Sequence, residues 1–153
     1  MAPAEERRGS REVARRVLIV DDEPSMRLLC TVNLELAGFE VSEADNGADA
    51  LAQAATGSFD LLLLDVMLPD MGGHDVLRRL SEDARTRGLP VVFLSARAAR
   101  EDLRTGYELG AVDYITKPFD PIALAERLNE IFARVERGET ESFRRARLAE
   151  LGG

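Results

Sequence analysis

Cysteine, histidine and lysine each occur once in this 153-residue chain, and tryptophan is absent. The single cysteine, Cys30, excludes a disulfide within the chain and fits the reducing conditions of the cytoplasm. No apolar run approaches the roughly 20 residues of a membrane span. The first residues also lack the basic-then-apolar order of a signal peptide. These absences predict a cytoplasmic protein with no membrane segment.

The chain also has too little positive charge for a protein that binds nucleic acid. Its net charge is −8, with +2 in residues 1–16 and +1 in residues 134–153, so residues 17–133 carry −11. Contacts to nucleic-acid phosphates or to anionic lipid need positive charge on the protein. We therefore expect no direct binding of nucleic acid by this chain and no binding to a membrane surface.

The length and composition predict one globular domain with short extensions. Apolar residues make up 45% of the chain and charged residues 31%, as in a soluble globular protein. A domain near 120 residues buries roughly two-thirds of its unfolded surface, which is enough for an independent core. We place this domain at residues 15–136, after a flexible leader at 1–14 and before a charged tail at 137–153. The tail is either a frayed linker or a helical extension used for self-association or tethering.

Three short apolar runs stop abruptly on ionisable side chains. Continuous apolar runs of about four to eight residues are typical of strands buried on both faces of a parallel sheet. Ligands of such sheets bind outside the carboxyl ends of the strands, so the residues that follow the runs should meet at one edge. The runs are Val17–Val20 before Asp21 and Asp22, Leu61–Leu64 before Asp65, and Tyr114–Thr116 before Lys117.

Strand and helix signals alternate along the chain. Pro24 stands at the first position of a helix, with Asp22 and Glu23 as candidate caps, and Gly38 follows its end. Five strands alternating with five helices predict an α/β three-layer sandwich with right-handed crossovers. The two further strands are predicted at 39–44 and 90–94, and the helices at 24–37, 48–55, 74–83, 99–109 and from 121 onwards.

The charges at this edge need a partner. Asp21, Asp22 and Asp65 would repel one another, and Lys117 offsets one unit of charge at most. A hard divalent cation would relieve the rest, and Mg²⁺ prefers carboxylate, carbonyl and water oxygens. Such a site suits phosphoryl transfer, in which a carboxylate can form an acyl phosphate and the Ser95 hydroxyl can bind a phosphoryl oxygen. Lys117 is the only lysine among 20 basic residues, which indicates a need for a compact point charge.

Four motifs extend this pattern. They are VLIVDDEP at 17–24, DLLLLDVMLPDMGG at 60–73, LSAR at 94–97 and GAVDYITKPF at 110–119. In this order they resemble the receiver domain of two-component response regulators, most closely the receivers of DNA-binding regulators, over residues 15–136. The resemblance implies a flavodoxin-like fold, a doubly wound five-stranded parallel sheet in the order 2-1-3-4-5.

The resemblance also implies a phosphorylation and metal site. Asp65 matches the phosphoacceptor, which takes a phosphoryl group from the phosphohistidine of a sensor kinase. Asp22 matches the acidic metal ligand, and Asp21 acts beside it through water. Met67 matches the position whose backbone carbonyl completes the protein ligands of Mg²⁺, for which Mn²⁺ could substitute.

Further residues match the positions that surround the phosphoryl group in the family. Lys117 contacts this group, as do the hydroxyl of Ser95 and the backbone of Ala96, and the Lys117–Pro118 bond is cis in the family. Ser95 and Tyr114 match the switch residues: Ser95 turns towards the phosphoryl group and Tyr114 fills the vacated space. The domain is then a phosphoacceptor that assists its own phosphorylation and dephosphorylation, and not an enzyme with a separate substrate.

The implied phosphoryl donor is a sensor histidine kinase or a phosphotransfer protein, and the implied target is a downstream protein or a detached effector domain. Receivers of DNA-binding regulators often dimerise through helix four, strand five and helix five, so a homodimer through this surface is a further expectation. The chain departs from them at Val112, where they usually carry an acidic residue before Asp113. The chain either acts alone or is the front part of a longer regulator.

Three other functions stay open on the sequence. A dehalogenase-like phosphatase would carry a second Asp two positions after the nucleophile, where this chain has Met67. A flavodoxin-like nucleotide-binding module would need a glycine-rich phosphate loop, and none follows Val20 or another predicted strand. A pseudo-receiver that never takes phosphate usually lacks the acidic residues or the lysine, all of which are present here.

Overall fold

The computed structural model describes residues 14–152, whose five strands form one parallel sheet. All but the last residue of the predicted leader, 1–14, lies outside the described residues. The sheet order is β2-β1-β3-β4-β5, so the predicted fold class and strand order are confirmed. The strands are β1 (Arg16–Val20), β2 (Glu40–Ala44), β3 (Leu61–Leu64), β4 (Val91–Ser95) and β5 (Asp113–Thr116).

Within residues 14–152 the strands alternate with helices, and a sixth α-helix follows in the tail. The predicted count of five helices is therefore wrong. The tail is helical at Thr140–Gly152, and its use for self-association or tethering stays a prediction. In the same part of the chain, no helix is long and apolar enough to cross a membrane. The helices are α1 (Pro24–Leu36), α2 (Gly47–Thr56), α3 (Gly73–Glu82), α4 (Arg100–Glu108), α5 (Leu124–Glu136) and α6 (Thr140–Gly152), with a 3-10 turn at Pro121–Ala123.

The apolar strands are buried because helices cover both faces of the sheet. Successive strand residues point to opposite faces. Leu62 and Leu64 pack in the core with α2, α3 and α4, whereas Leu61 and Leu63 pack in the core with α1 and α5. Each of these leucines is 0% exposed, and burial of one such side chain contributes about 1.5–3 kcal/mol. Cys30 is a buried free thiol in the core formed with α1 and α5.

The helix starts agree only in part with the predicted capping. Glu23, one of the two candidate caps, is the N-cap residue of α1, but its side chain makes no capping hydrogen bond. The backbone N–H of Glu23 instead donates to Asp21 Oδ1 at 2.9 Å. Helix α2 does carry a side-chain cap, since Asn46 Oδ1 accepts from the N–H of Asp49 at 2.8 Å.

Candidate functional site

Backbone hydrogen bonds bring the loops after β1, β3 and β5 to one edge of the sheet. The N–H of Asp65 donates to the carbonyl of Val20, the last residue of β1, at 2.9 Å. The N–H of Lys117 donates to the carbonyl of Ser95, the last residue of β4, also at 2.9 Å. The parallel pairing of these strands thus brings side chains that are distant in the sequence together around one pocket.

Lys117 lies between two buried carboxylates in this pocket. Its Nζ is 2.9 Å from Asp21 Oδ2 and 3.1 Å from Asp65 Oδ2. Carboxylate oxygens of Asp21, Asp22 and Asp65 all lie within 4.8 Å of one another. The Lys117–Pro118 peptide bond is cis. The structure therefore brings together the four ionisable residues that the sequence placed at this edge.

The pocket raises the pKa of both members of the Asp65–Lys117 pair. Burial raises the pKa of Asp65, and the N–H of Met67 and the charge of Lys117 oppose this effect. Burial by itself would lower the pKa of Lys117, but the hydrogen bonds and charges of Asp21 and Asp65 outweigh it and raise the pKa. These two carboxylates therefore stabilise the charged form of Lys117. Further positive charge in the pocket would oppose the raised pKa of Asp65 and favour its ionised form.

The carboxylate cluster fits a hard divalent cation such as Mg²⁺. Its three carboxylates face a single ammonium group, so oxygen ligands and uncompensated negative charge are both available. Both oxygens of Asp21 already accept hydrogen bonds, one from the N–H of Glu23 and one from Lys117. Asp22 is exposed. Both oxygens of Asp65 also accept hydrogen bonds, from the N–H of Met67 and from Lys117, so the exposed carboxylate of Asp22 is the most accessible of the three to a cation.

The loop after Asp65 is held close to the pocket. Asp65 Oδ1 accepts a hydrogen bond from the N–H of Met67 at 3.0 Å. Met67 also pairs with Gly72 in an isolated antiparallel bridge. A Cβ atom at Gly73 would lie 2.5 Å from the carbonyl oxygen of Asp65, so residue 73 must be glycine for α3 to start here. This anchoring holds the backbone of Met67 beside the pocket, although the residue is 58% exposed.

Ser95 and Tyr114 lie on the β4–β5 side of the pocket. Ser95 is 1% exposed, and its Oγ accepts a hydrogen bond from the N–H of Arg97 at 3.1 Å. Ala96, which follows it, is exposed. Tyr114 is 5% exposed, and its hydroxyl donates to the carbonyl of Arg97. The aromatic ring of Tyr114 therefore occupies a buried position beside Ser95.

Comparison with known proteins decides the family. The sequence profile described as Response regulator receiver domain matches residues 17–129, which is most of the chain. The chain belongs to the response regulator receiver domain family. This family membership confirms the prediction made from the four motifs.

Curated relatives of this receiver are longer proteins. The phosphate regulon transcriptional regulatory protein PhoB of Pseudomonas aeruginosa is 42% identical over 130 residues, covering 85% of this chain and 57% of the relative. The DNA-binding dual master transcriptional regulator RpaA of Synechocystis sp. is 40% identical over 122 residues, covering 80% of this chain and 51% of the relative. The chain thus spans about half the length of these relatives.

Solved receivers match the fold of this receiver over nearly their full length. The chemotaxis response regulator CheY4 of Vibrio cholerae superimposes with a TM-score of 0.73 at 31% identity, covering 78% of this chain and 99% of that one. The BeF3-activated DrrB receiver domain gives a TM-score of 0.71 at 30% identity, covering 80% of this chain and 100% of that one.

A buried ionic network beside Tyr114 of this receiver was not predicted from the sequence. Asp113 is 3% exposed, and it accepts a hydrogen bond from the Tyr107 hydroxyl at 3.1 Å. The same carboxylate pairs with Arg127 at 3.0 Å and Arg134 at 2.9 Å. The available signal was a lone carboxylate at the start of a buried apolar strand, which requires partners from elsewhere in the fold.

The two tyrosines of this receiver should ionise unusually late. Burial, reinforced by the charge of Asp113 for Tyr107 and of Asp102 for Tyr114, raises the pKa of each phenol to about 12. An unfolded tyrosine ionises near pH ~10. The stability that each protonated phenol contributes is therefore complete below pH ~10 and is lost as the pH rises through about 12.

An ultraviolet absorbance titration tests this expectation directly, because the chain has two tyrosines and no tryptophan. We expect no tyrosinate in the folded receiver until the pH approaches 12, whereas both phenols ionise near pH ~10 in denaturant. Far-UV circular dichroism recorded in parallel shows whether the chain is still folded. A tyrosine that ionises near pH ~10 in the folded chain would contradict the burial described here.

Proposed function

We propose that this receiver accepts a phosphoryl group on Asp65, in a Mg²⁺-dependent reaction, from a sensor histidine kinase or a phosphotransfer protein. The observation that supports this proposal is that the Asp65 carboxylate lies beside both an ammonium group and two further carboxylates. It lies 3.1 Å from the Lys117 ammonium and within 4.8 Å of two further carboxylates. A nucleophile, a cation and a set of metal ligands therefore converge at one edge of the sheet.

The chemistry follows from these groups. A carboxylate oxygen of Asp65 would form a bond to phosphorus while the bond from phosphorus to the donor nitrogen breaks and its electron pair leaves with the imidazole. Lys117 holds the Asp65 oxygen and is placed to neutralise a phosphoryl oxygen. A bound Mg²⁺ would supply further positive charge to the phosphoryl oxygens. Hydrolysis of the acyl phosphate by water would reset the domain.

Phosphorylation would act as a switch through Ser95 and Tyr114. The phosphoryl group adds about −1.5 to −2 charge, to which the Ser95 hydroxyl and the backbone of Ala96 would donate hydrogen bonds. Moving a two-state protein from 1:99 to 99:1 needs about 5.5 kcal/mol. A few charge-assisted hydrogen bonds of about 1.5–3 kcal/mol each are sufficient. Tyr114 is 5% exposed, and we expect phosphorylation to stabilise this buried position of the ring.

The partners of the switch are proposed from the relatives. PhoB and RpaA are named as transcriptional regulators, and the matched part covers about half of each. We propose that this receiver controls a downstream protein or an effector domain, and that this chain makes no direct contact with nucleic acid. A homodimer through α4, β5 and α5 would require α6 to move, because α6 packs on α4.

The phosphatase and pseudo-receiver alternatives are less well supported. Met67 stands where a phosphatase of the dehalogenase type carries its second Asp, and its side chain is 58% exposed and cannot transfer a proton. A pseudo-receiver would not be expected to keep Lys117 within hydrogen-bond distance of both Asp21 and Asp65. Turnover of an added phosphate ester would favour the phosphatase.

Intact-mass spectrometry with acetyl phosphate as donor tests the proposed function. We expect the wild-type chain to gain the mass of one phosphoryl group when Mg²⁺ or Mn²⁺ is present and to gain none when a chelator removes the metal. The Asp65→Asn variant, which keeps the size of the side chain but loses the nucleophile, should gain none. Equal mass gain in Asp65→Asn, or no gain in the wild type with Mg²⁺, would refute the proposal.

A further inference from the structure

Helix α6 is an addition to the matched receiver. The family match ends at residue 129, whereas α6 spans Thr140–Gly152. Its half-buried residues follow a helical stripe that packs on α4. Three apolar members of the stripe contact the core cluster that contains Tyr107, namely Phe143, Leu148 and Leu151.

Polar contacts hold α6 in this position at both ends. Arg144 Nη1 donates to the carbonyl of Tyr107, in the last turn of α4, at 2.8 Å. The Phe143 ring lies edge-on to the Tyr107 ring at 6.4 Å and stacks under the guanidinium of Arg134 at 3.5 Å. At the other end, Arg100 donates to the carbonyls of the last turn of α6 at 3.3 and 3.4 Å. Carbonyls in the last turn of a helix have no partners within it, so such contacts fix α6 to α4.

Two residues in the last turn of α4, Gly106 and Tyr107, lie beside the switch residue Tyr114. The Tyr107 hydroxyl donates to Asp113 Oδ1, which also accepts from the N–H of Tyr114 at 2.7 Å. Gly106 brings α4 so close to β5 that a Cβ atom there would lie 3.3 Å from the Tyr114 ring. The Tyr114 hydroxyl in turn holds the carbonyl of Arg97. One continuous set of contacts therefore joins docked α6, buried Tyr114 and the loop after Ser95.

We infer that the docking of α6 on α4 and the binding of a phosphoryl group at Asp65 are coupled, so that docked α6 favours the phosphoryl-binding arrangement of Ser95 and Tyr114. The inference rests on the proposed function. When α6 is docked, its contacts hold α4 against Tyr114 and stabilise the buried position of the Tyr114 ring. Phosphorylation would stabilise the same position. By thermodynamic linkage, each event must strengthen the other by the same factor.

Two matched pairs of variants in the full chain test this coupling. Leu148→Asp places a charge in the α4–α6 contact, and Ala146→Asp places the same charge on the exposed face of α6. Arg144→Ala removes the contact to the Tyr107 carbonyl, and Arg145→Ala removes an exposed neighbouring arginine. The probe is beryllofluoride with Mg²⁺, and its affinity is measured from the fluorescence of the two tyrosines.

We expect Leu148→Asp and Arg144→Ala to weaken beryllofluoride binding by about fivefold or more, with both controls at the wild-type value. Reciprocally, beryllofluoride should slow tryptic cleavage at the arginines of α6 in the wild type, because cleavage follows the undocked population. Circular dichroism shows whether each variant is folded. If Leu148→Asp unfolds, the comparison of Arg144→Ala with its control Arg145→Ala tests the coupling.

The outcomes separate the two proposals. A wild-type chain that binds no beryllofluoride and gains no phosphoryl group overturns both the proposed function and the coupling. A wild-type chain that binds beryllofluoride, together with folded Leu148→Asp and Arg144→Ala variants that bind it equally well, overturns the coupling alone. Unchanged tryptic cleavage of α6 at saturating beryllofluoride also overturns the coupling.

Discussion

Replacing Lys117 by alanine is expected to lower the initial rate of phosphorylation by acetyl phosphate by about 10²–10³-fold, the usual cost of removing one preorganised donor to developing negative charge. The Lys117 side chain is 15% exposed and contacts both Asp21 and Asp65, so solvent cannot replace its charge efficiently. Its loss also leaves two buried carboxylates facing each other without a cation between them.

The Lys117→Arg variant tests why a chain so rich in arginine keeps a single lysine here. The planar guanidinium is bulkier than the ammonium and spreads its charge, so we expect it to restore little of the lost rate. Intact-mass spectrometry of samples quenched at successive times measures the phosphorylation rates. The Arg78→Ala variant, which removes an exposed arginine, is the control and should match the wild type. Full activity of Lys117→Ala would show that Lys117 has no role at the phosphoryl group.

Replacing Asp113 by alanine should cost about 3–5 kcal/mol of unfolding free energy, the range for removing one partner from a buried ion pair. Its carboxylate is 3% exposed and accepts from Tyr107, Tyr114, Arg127 and Arg134. The Arg134 side chain is only 14% exposed, so the variant leaves a largely buried cation without its counter-ion. The hydroxyl of Tyr107 loses its acceptor in the same step.

Urea denaturation measures this cost, because the midpoint shifts with stability at constant slope. The matched control is Asp75→Ala, which removes a carboxylate from the exposed pair with Arg78 and should cost about 1 kcal/mol or less. If Asp113→Ala is no more destabilising than Asp75→Ala, the Asp113 network does not stabilise the fold as described.

The pocket was predictable from the sequence because its geometry depends on local signals. Apolar runs of three or four residues form the strands of this helix-covered sheet, and the side chain after each run then lies at the sheet edge. The runs therefore place Asp65 and Lys117 at the same edge of the sheet. The strand order came from the family resemblance, since apolar runs do not say which strands are neighbours. The end of β4 was misplaced by one residue, since Ser95 belongs to the strand.

The docking of α6 was not predictable because its contacts depend on arginine. The tail offers only three large apolar residues, which is too few to distinguish a packed helix from a solvated one. The Arg134 and Arg144 guanidinium groups complete the contact by stacking on Phe143 and binding the Tyr107 carbonyl. A long charged side chain can cover apolar surface in this way, but composition does not show where it will do so. The Asp113 network was missed because its partners come from α4 and α5.

The most direct test of Mg²⁺-dependent phosphorylation at Asp65 is to locate the phosphoryl group in the wild-type chain. Borohydride reduction of the acyl phosphate followed by peptide sequencing in a mass spectrometer identifies the modified residue. We expect a single reduced aspartate, at position 65, and none when Mg²⁺ is removed. Reduction of Asp21 or Asp22 would contradict this expectation, as would reduction of Asp65 that is unaffected by removal of the metal.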